Sequence, residues 1–308
     1  MTRRDAIALL AAAPTAFLEH LSKGRPPVVS LGFSLYGMKG VPLSSAIDTC
    51  AAVGYENVEL CLMPGWSEPD RLSQEARRRL SRQLQAAELE VSAFMEDIYP
   101  LDRDMPRQVG LDRVRKAAGL GHDLSRATPL IETALGGKPP DWESSKHQMA
   151  ERLGEWAAES AAAGALLCVK AHVGGAVSTP ENLLWLYHQV NLPSLKLTYD
   201  YSHFQVAGFP LESTLLAILP YCAFIHVKDA TGDAAHPKFL LAGDGSVDYA
   251  AYFRLLKDGG YAGPVVAEVS MQLQNAASYD PVYAARHCYS CLSSALKLAH
   301  RPRTPDLP

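Results

Sequence analysis

Four short apolar segments in the second half of the chain each end in residues that can bind a metal ion or move a proton. These residues are Lys170 and His172, Asp200 and His203, His226 with Lys228 and Asp229, and Glu268. A stretch with helical character separates each segment from the next. Because the carboxyl ends of the strands in a closed parallel barrel meet at one mouth, we expect these side chains to share one site.

Eight apolar segments of strand length run along the chain and alternate with helical stretches. They span residues 28–33, 57–62, 90–94, 129–133, 166–171, 195–200, 224–227 and 265–269. Their mostly continuous apolar character predicts strands that are buried on both faces. Eight strand–helix units over about 270 residues predict an α/β fold built as a single (β/α)8 barrel. A doubly wound sheet is the alternative, but the first strand lacks the glycine-rich phosphate loop typical of its dinucleotide-binding versions.

Local signals mark where several of the helices begin and end. Gly54 and the pair Gly259-Gly260 each follow a helical stretch and predict its end. The segment Ser178-Thr179-Pro180-Glu181 predicts a helix start, because it offers a hydroxyl cap and then a proline in the first turn.

The overall composition predicts a soluble globular protein with a small polar ligand. The 308 residues include 48% hydrophobic and 20% charged residues, and the formal net charge is −4. This balance, without a basic stripe, argues against a nucleic-acid partner. The sequence contains neither a Gly-x-Ser-x-Gly elbow nor a Walker-type phosphate loop, which argues against Ser/His/Asp hydrolase chemistry and against Walker-type phosphate binding.

The amino terminus has the character of an export signal. Arg3-Arg4 precede the short apolar run 6–18, as in twin-arginine (Tat) signals, and this run is too short to span a bilayer. We therefore expect a leader over 1–27 and a periplasmic mature protein without a membrane span, or otherwise an amphipathic helix on a cytoplasmic protein. The barrel is predicted over 28–300 and a disordered tail over 301–308. The sequence does not decide between a monomer and a homo-oligomer.

Several segments resemble those of a known enzyme superfamily. Taken in order, they are residues 54–60, 199–204, 225–229, 243–249 and 259–268. In these motifs and in its alternation of strands and helices, the chain resembles the xylose isomerase-like TIM barrel superfamily over roughly residues 28–298. The resemblance is to its group of sugar (phosphate) isomerases and epimerases and inosose dehydratases.

The resemblance implies a divalent metal at the barrel mouth, commonly manganese, magnesium or cobalt, with zinc also compatible. Its ligands in that superfamily are glutamate, aspartate, histidine and glutamate from the fifth to eighth strands. Asp200, His226 and Glu268 match three of these four positions, and Lys170 stands at the fourth. Such an ion would clamp adjacent sugar oxygens and stabilise the enediolate that forms when the α-proton leaves.

Lys170 is the main departure from the superfamily pattern. An ammonium offers no lone pair and repels a cation about 4 Å away by roughly 1 kcal/mol or more per unit of charge product. Glu132, at the end of the fourth strand, could replace the missing ligand while Lys170 binds a substrate oxygen. Lys170 could instead have a lowered pKa and act as a base or imine-forming nucleophile. In the third alternative, it pairs with Glu132 or Asp200 in a metal-free site.

Further residues are candidates for contact with substrate. His172 and His203 could hydrogen-bond a sugar, and Trp66 could pack against the face of its ring. Lys228 could bind substrate, although a salt bridge with the adjacent Asp229 is the simpler expectation.

Together these features predict a divalent-metal-dependent sugar isomerase or epimerase that removes a proton next to a carbonyl. Glu268 or Lys170 would be the catalytic base. One alternative is a keto-sugar or inosose-type dehydratase or lyase that uses the same enediolate. Another is a non-catalytic carbohydrate-binding barrel in which Lys170 has replaced a metal-ligand glutamate.

Overall fold

Eight parallel strands form a closed barrel in the computed structural model, which describes residues 29–300. Two further strands, β8 and β9, form a separate hairpin. In chain order the ten strands of residues 29–300 are β1 (Ser30–Ser34), β2 (Asn57–Cys61), β3 (Glu90–Glu96), β4 (Leu130–Ala134), β5 (Leu166–Lys170), β6 (Leu195–Asp200), β7 (Cys222–Val227), β8 (Asp229–Gly232), β9 (Pro237–Leu240) and β10 (Pro264–Ala267). Their order around the barrel is β1-β10-β7-β6-β5-β4-β3-β2. The predicted (β/α)8 barrel is confirmed, and each predicted strand overlaps an observed one. The predicted leader and tail lie outside the described residues.

Helices follow the barrel strands in sequence and surround the barrel. They are α1 (Leu43–Val53), α2 (Gln74–Ala86), α3 (Arg107–Leu124), α4 (Trp142–Ala162), α5 (Pro180–Val190), α6 (Tyr201–Val206), α7 (Leu211–Ile218), α8 (Tyr249–Asp258), α9 (Met271–Gln274) and α10 (Pro281–Ala299). Single 3₁₀ turns lie at Leu35–Met38, Pro69–Arg71, Pro139–Asp141 and Leu219–Tyr221. Within residues 29–300, no helix combines the length and the apolar character that crossing a bilayer requires.

The predicted helix boundaries are confirmed. Gly54 ends α1 in the left-handed conformation, with φ of 109°, and its N–H donates to the carbonyls of the preceding turn. At the start of α5, the side chain of Thr179 accepts a hydrogen bond from the backbone N–H of Asn182, and Pro180 occupies the first turn. The helix α8 ends at Asp258, immediately before Gly259.

The β8–β9 hairpin was not predicted from the sequence. It follows β7 directly and pairs in antiparallel fashion, with Asp229 opposite Leu240 and Gly232 opposite Pro237. Its strands have four residues each and lack a continuous apolar run, so they give little periodicity to detect. The hairpin matters because it extends from the carboxyl end of a barrel strand, where the predicted site lies.

Alternation along the strands divides the barrel interior into layers. Side chains two residues apart share a face, so Phe224, His226 and Lys228 all point inward from β7 and its carboxyl end. Phe224 packs with Ala93 and Val266 in a buried apolar cluster. The ring of His226 stacks edge-on above that of Phe224, with centroids 4.8 Å apart. An apolar layer therefore supports a polar layer at the mouth.

Candidate active site at the carboxyl ends of the strands

Except for Trp66, the predicted site residues converge on one cavity at the barrel mouth. Strand register places Asp200 of β6 level with His226 of β7. The cavity has a volume of about 350 Å³, and the predicted residues that line it are Glu132, Lys170, His172, His203, Lys228 and Glu268. Asp200 and His226 are fully buried and contact the residues that line the cavity.

Lys170 lies at the centre of this cluster. Its Nζ atom is 3.0 Å from Nδ1 of His226 and 3.1 and 3.2 Å from the two carboxylate oxygens of Glu268. It also lies 3.7 Å from Glu132 and 3.9 Å from Asp200. Burial alone would lower the pKa of Lys170, but these carboxylates raise it above its usual value. The side chain is therefore a cation, and the lowered pKa that an imine-forming amine requires is not found.

Lys228 is a second ammonium on the same carboxylates. Its Nζ atom lies 2.5 Å from an oxygen of Asp200 and 2.5 Å from an oxygen of Glu268. Burial alone would raise the pKa of Glu268, but Lys170 and Lys228 hold it well below its usual range. Glu268 is therefore a carboxylate that two lysines share.

The expectation of a salt bridge between Lys228 and Asp229 is wrong. Successive residues at a strand end point in opposite directions, so Asp229 faces away from the cavity. Its carboxylate accepts hydrogen bonds from the backbone N–H groups of Gly243, at 2.7 Å, and Val247, at 3.1 Å. A Cβ on Gly245 would lie 2.5 Å from an Asp229 oxygen, so this loop needs glycine there. Asp229 thus anchors the loop that leads into α8.

Glu59 of β2 completes the cluster and was not assigned a role from the sequence. Its carboxylate lies 3.0 Å from Nε2 of His226, and both side chains are fully buried. Burial alone would lower the pKa of His226, but Glu59 raises it above its usual value. The raised pKa favours a charged ring, but the ammonium of Lys170 lies 3.0 Å from Nδ1 and can only donate, so geometry decides and that nitrogen must accept a hydrogen bond. We therefore assign a neutral ring that carries its proton on Nε2 and donates it to Glu59.

Glu132 of β4, like Glu59, has a buried carboxylate oxygen without a hydrogen-bond partner within residues 29–300, and of the two it is Glu132 that lines the cavity. Its Oε1 atom has no hydrogen-bond partner among the described residues, and only 1% of the residue is exposed. Burial raises the pKa of Glu132 to about 7, against the attraction of Lys170. A carboxyl group that titrates near neutral pH can accept and return a proton.

His172 and His203 form a neutral pair on the wall of the cavity. Their ring centroids are 3.9 Å apart. Burial lowers the pKa of His203 to about 3, and burial with the nearby Lys170 lowers that of His172. Nε2 of His203 lies 3.4 Å from Asp200. Both imidazoles remain uncharged at neutral pH and suit hydrogen bonding to hydroxyl groups.

Trp66 is not among the residues that line the cavity. It stacks on Tyr36, which does line it, with ring centroids 5.7 Å apart and planes 18° apart. The ammonium of Lys39 lies over the Trp66 ring, 4.8 Å from its centre. The aromatic surface available to a sugar is therefore that of Tyr36, with Trp66 behind it. Phe239, which the hairpin contributes, is a second aromatic wall.

Asp200, His226 and Glu268 form a candidate metal site by distance. Their ligand atoms lie within 4.8 Å of one another, and Glu132 is not part of this group. The two lysine ammonium groups bond to the same three residues. At about 4 Å and an effective dielectric constant near 20, each ammonium would repel a divalent ion by about 8 kcal/mol. As arranged here, the residues do not fit a resident divalent ion, because both lysine side chains would first have to move.

The chain has relatives among characterised sugar enzymes. It is 26% identical over 229 residues to L-ribulose 3-epimerase from Methylomonas sp. strain DH-1, covering 72% of this chain and 77% of that protein. It is 27% identical over 149 residues to inosose dehydratase from Yersinia enterocolitica, covering 42% of this chain and 50% of that protein.

Similarity to solved structures extends over nearly the whole chain. The structure of a xylose isomerase domain protein from Alicyclobacillus acidocaldarius superposes with a TM-score of 0.73 at 18% identity, covering 88% of this chain and 99% of that one. At this identity the likeness shows the fold. A family model described as xylose isomerase-like TIM barrel matches residues 47–284. Since this match covers most of the chain, the protein belongs to the xylose isomerase-like TIM barrel family.

Proposed function

We propose that this protein is a sugar isomerase or epimerase that transfers a proton at a carbon next to a carbonyl group. The observation that carries the proposal is the placement of two carboxylates, Glu132 and Glu268, on one small cavity with two ammonium groups between and beside them. Proton transfer next to a carbonyl needs a base and a positive group near the oxygen. The cavity provides both.

The barrel topology supports epimerisation in particular. The strand β4, which carries Glu132, and β10, which precedes Glu268, are four places apart in the closed ring of eight strands. They are therefore diametrically opposite. Carboxylates on opposite walls can approach the two faces of one carbon, as inversion at that carbon requires.

Glu132 is the group best suited to accept the proton. Its Oε1 atom is free of hydrogen bonds within the described part of the chain, whereas Glu268 is held by Lys170 and Lys228. The neutral imidazoles of His172 and His203 would hold substrate hydroxyls. Tyr36 and Phe239 would pack against the carbon skeleton. A cavity of about 350 Å³ suits a single sugar unit.

The similarity to L-ribulose 3-epimerase supports a ketose as substrate. The similarity to inosose dehydratase supports a second candidate, elimination of a hydroxyl from a keto-polyol, because both reactions begin with loss of an α-proton. If a divalent ion displaced the lysines, its ligands would be Asp200, His226 and Glu268, and manganese, magnesium or cobalt would be the expected ion.

Incubation of the purified protein with ketopentoses, ketohexoses and keto-polyols in deuterated water tests the proposal. Epimerisation or isomerisation introduces solvent deuterium at the α-carbon, which NMR detects, whereas elimination yields an unsaturated product that absorbs in the ultraviolet. Glu132→Gln should remove the activity. Glu90→Gln is the matched control, because Glu90 begins β3 at the opposite end of the barrel. Sugar binding without exchange for any substrate would contradict the proposal and favour a carbohydrate-binding protein.

A further inference from the structure

We propose that the ammonium groups of Lys170 and Lys228 take the place of the divalent ion, so that this protein binds and polarises sugar oxygens without a metal. The inference rests on the proposed function for its substrate class. It concerns the group that stabilises negative charge, whereas the proposed function concerns the proton transfer itself.

The first observation is that Lys170 bonds to the atoms that a metal would need. Its Nζ atom lies 3.0 Å from Nδ1 of His226 and within 3.2 Å of both oxygens of Glu268. The other ring nitrogen of His226 is held by Glu59 at 3.0 Å, which fixes the imidazole orientation. The lone pair of Nδ1 therefore points at an ammonium.

The second observation is that Lys228 bonds to the remaining candidate metal ligand, Asp200. It also shares Glu268 with Lys170. An ammonium has three N–H donors, and these contacts use two of them on Lys228. Lys170 has three acceptor atoms within 3.2 Å, and it keeps a donor for a substrate oxygen when the two oxygens of Glu268 share one of its N–H groups. Both side chains line the cavity.

The third observation is that the two ammonium groups offset two of the four carboxylate charges in the cluster, which equals the positive charge of one divalent ion. Four buried carboxylates, those of Glu59, Glu132, Asp200 and Glu268, surround the two ammonium groups. Each lysine replaces positive charge that a divalent ion would supply. Four carboxylates and two ammonium groups leave a net charge of −2, half of what the carboxylates alone would carry.

These contacts define the chemical step. Glu132 Oε1 takes the α-proton, and the electron pair of the broken C–H bond forms the carbon–carbon double bond of the enediolate. The carbonyl oxygen gains the negative charge and accepts hydrogen bonds from the ammonium groups. In isomerisation Glu132 returns the proton to the neighbouring carbon. In epimerisation the carbon takes a proton from solvent on its opposite face, and Glu132 releases its proton to solvent. Either route restores a carbonyl and consumes no oxidant, reductant or further reactant.

The test restores a carboxylate at position 170. Lys170→Glu removes a positive charge and adds a ligand beside Asp200, His226 and Glu268. We expect it to bind one Mn²⁺ per chain at least about 100-fold more tightly than the wild type. Titration calorimetry and the electron paramagnetic resonance of Mn²⁺ measure this directly and need no substrate. Lys170→Gln removes the charge without adding the carboxylate and should bind Mn²⁺ more weakly than Lys170→Glu. Lys297→Glu, on an exposed lysine of α10, controls for charge reversal.

The wild-type protein supplies the complementary measurement. After dialysis against a chelator, elemental analysis should find far less than one metal per chain, and deuterium exchange into the sugar should continue. Wild-type protein that binds Mn²⁺ as tightly as Lys170→Glu, or that loses exchange on chelation and regains it with Mn²⁺, would overturn the inference while leaving the proposed function intact. Absence of exchange with every sugar would contradict the proposed function, and the Mn²⁺ titrations would still decide the role of Lys170.

Discussion

Substitution of Lys170 by methionine is expected to destabilise the fold strongly. Methionine is unbranched and of similar length, so it fills the space and removes the ammonium. In the wild type, that ammonium bonds to Glu268 and His226 and lies within 4 Å of Glu132 and Asp200. Removing one partner from a buried ion pair costs about 3–5 kcal/mol, because the remaining charge stays buried. For a domain of this size, the melting temperature should fall by roughly 6–20 °C.

The loss of stability should depend on pH. Glu268 has a pKa well below its usual range. Its interactions with the lysines therefore stabilise the fold at every pH above the pKa that this carboxyl group has in the unfolded chain. The raised pKa of Lys170 keeps the wild-type ammonium charged throughout pH 5–8. In Lys170→Met, the pKa of Glu132 should rise above its present value of about 7. The destabilisation should therefore be largest near pH 8 and smaller near pH 5, where the carboxyl groups can take up protons.

Urea and thermal unfolding, followed by circular dichroism between pH 5 and 8, measure both effects. Lys297→Met is the control, since Lys297 is exposed and its substitution should change stability by no more than about 0.5 kcal/mol. A Lys170→Met protein as stable as the wild type at pH 8 would refute the assignment of Lys170 as the buried centre of the charge cluster. A destabilisation of equal size at every pH would refute its coupling to the carboxylates.

Three other substitutions test separate parts of the site. Glu132→Gln should keep the fold and lower turnover at least about 100-fold. In the wild type, kcat/KM should rise with pH through about 7 and then level off, because the base Glu132 has a pKa of about 7. Glu59→Leu leaves the Nε2 proton of His226 unpaired and should lower the free energy of unfolding by about 1–3 kcal/mol. Glu59→Gln keeps an acceptor and should lower it by less, and chemical denaturation measures both values. Asp229→Ala should loosen the loop 243–247, which hydrogen–deuterium exchange would detect as faster exchange at its two anchored N–H groups, while Asp229→Asn should retain part of the protection.

The barrel and most of its mouth are predictable from the sequence for a physical reason. Continuous apolar segments of strand length report burial on both faces, and glycine and proline punctuate the helices between them. Once a parallel barrel is inferred, residues that end its strands must meet at one rim. That reasoning brings Lys170, Asp200, His226 and Glu268 together without any knowledge of their contacts.

The pairing within the site is not predictable in the same way. Glu59 lies 167 residues before His226, and no local pattern joins them. A signal was nevertheless present, because Glu59 is a lone acid in an apolar strand, which is costly to bury without a partner. Whether Lys228 pairs with Asp229 or with Glu268 depends on the direction in which each side chain points at the strand end. The hairpin that supplies Phe239 lacks the continuous apolar strands by which the barrel was recognised.

A crystal structure with a bound ketose is the most direct measurement of the proposed site. We expect the Nζ atoms of Lys170 and Lys228 within about 3.2 Å of the sugar carbonyl oxygen. The Glu132 carboxylate should lie about 3–3.5 Å from the adjacent carbon, where it can take the proton. A sugar bound away from this cavity would contradict the proposed function. A metal ion held by Asp200, His226 and Glu268, with both lysines turned aside, would contradict the replacement of the metal by ammonium groups.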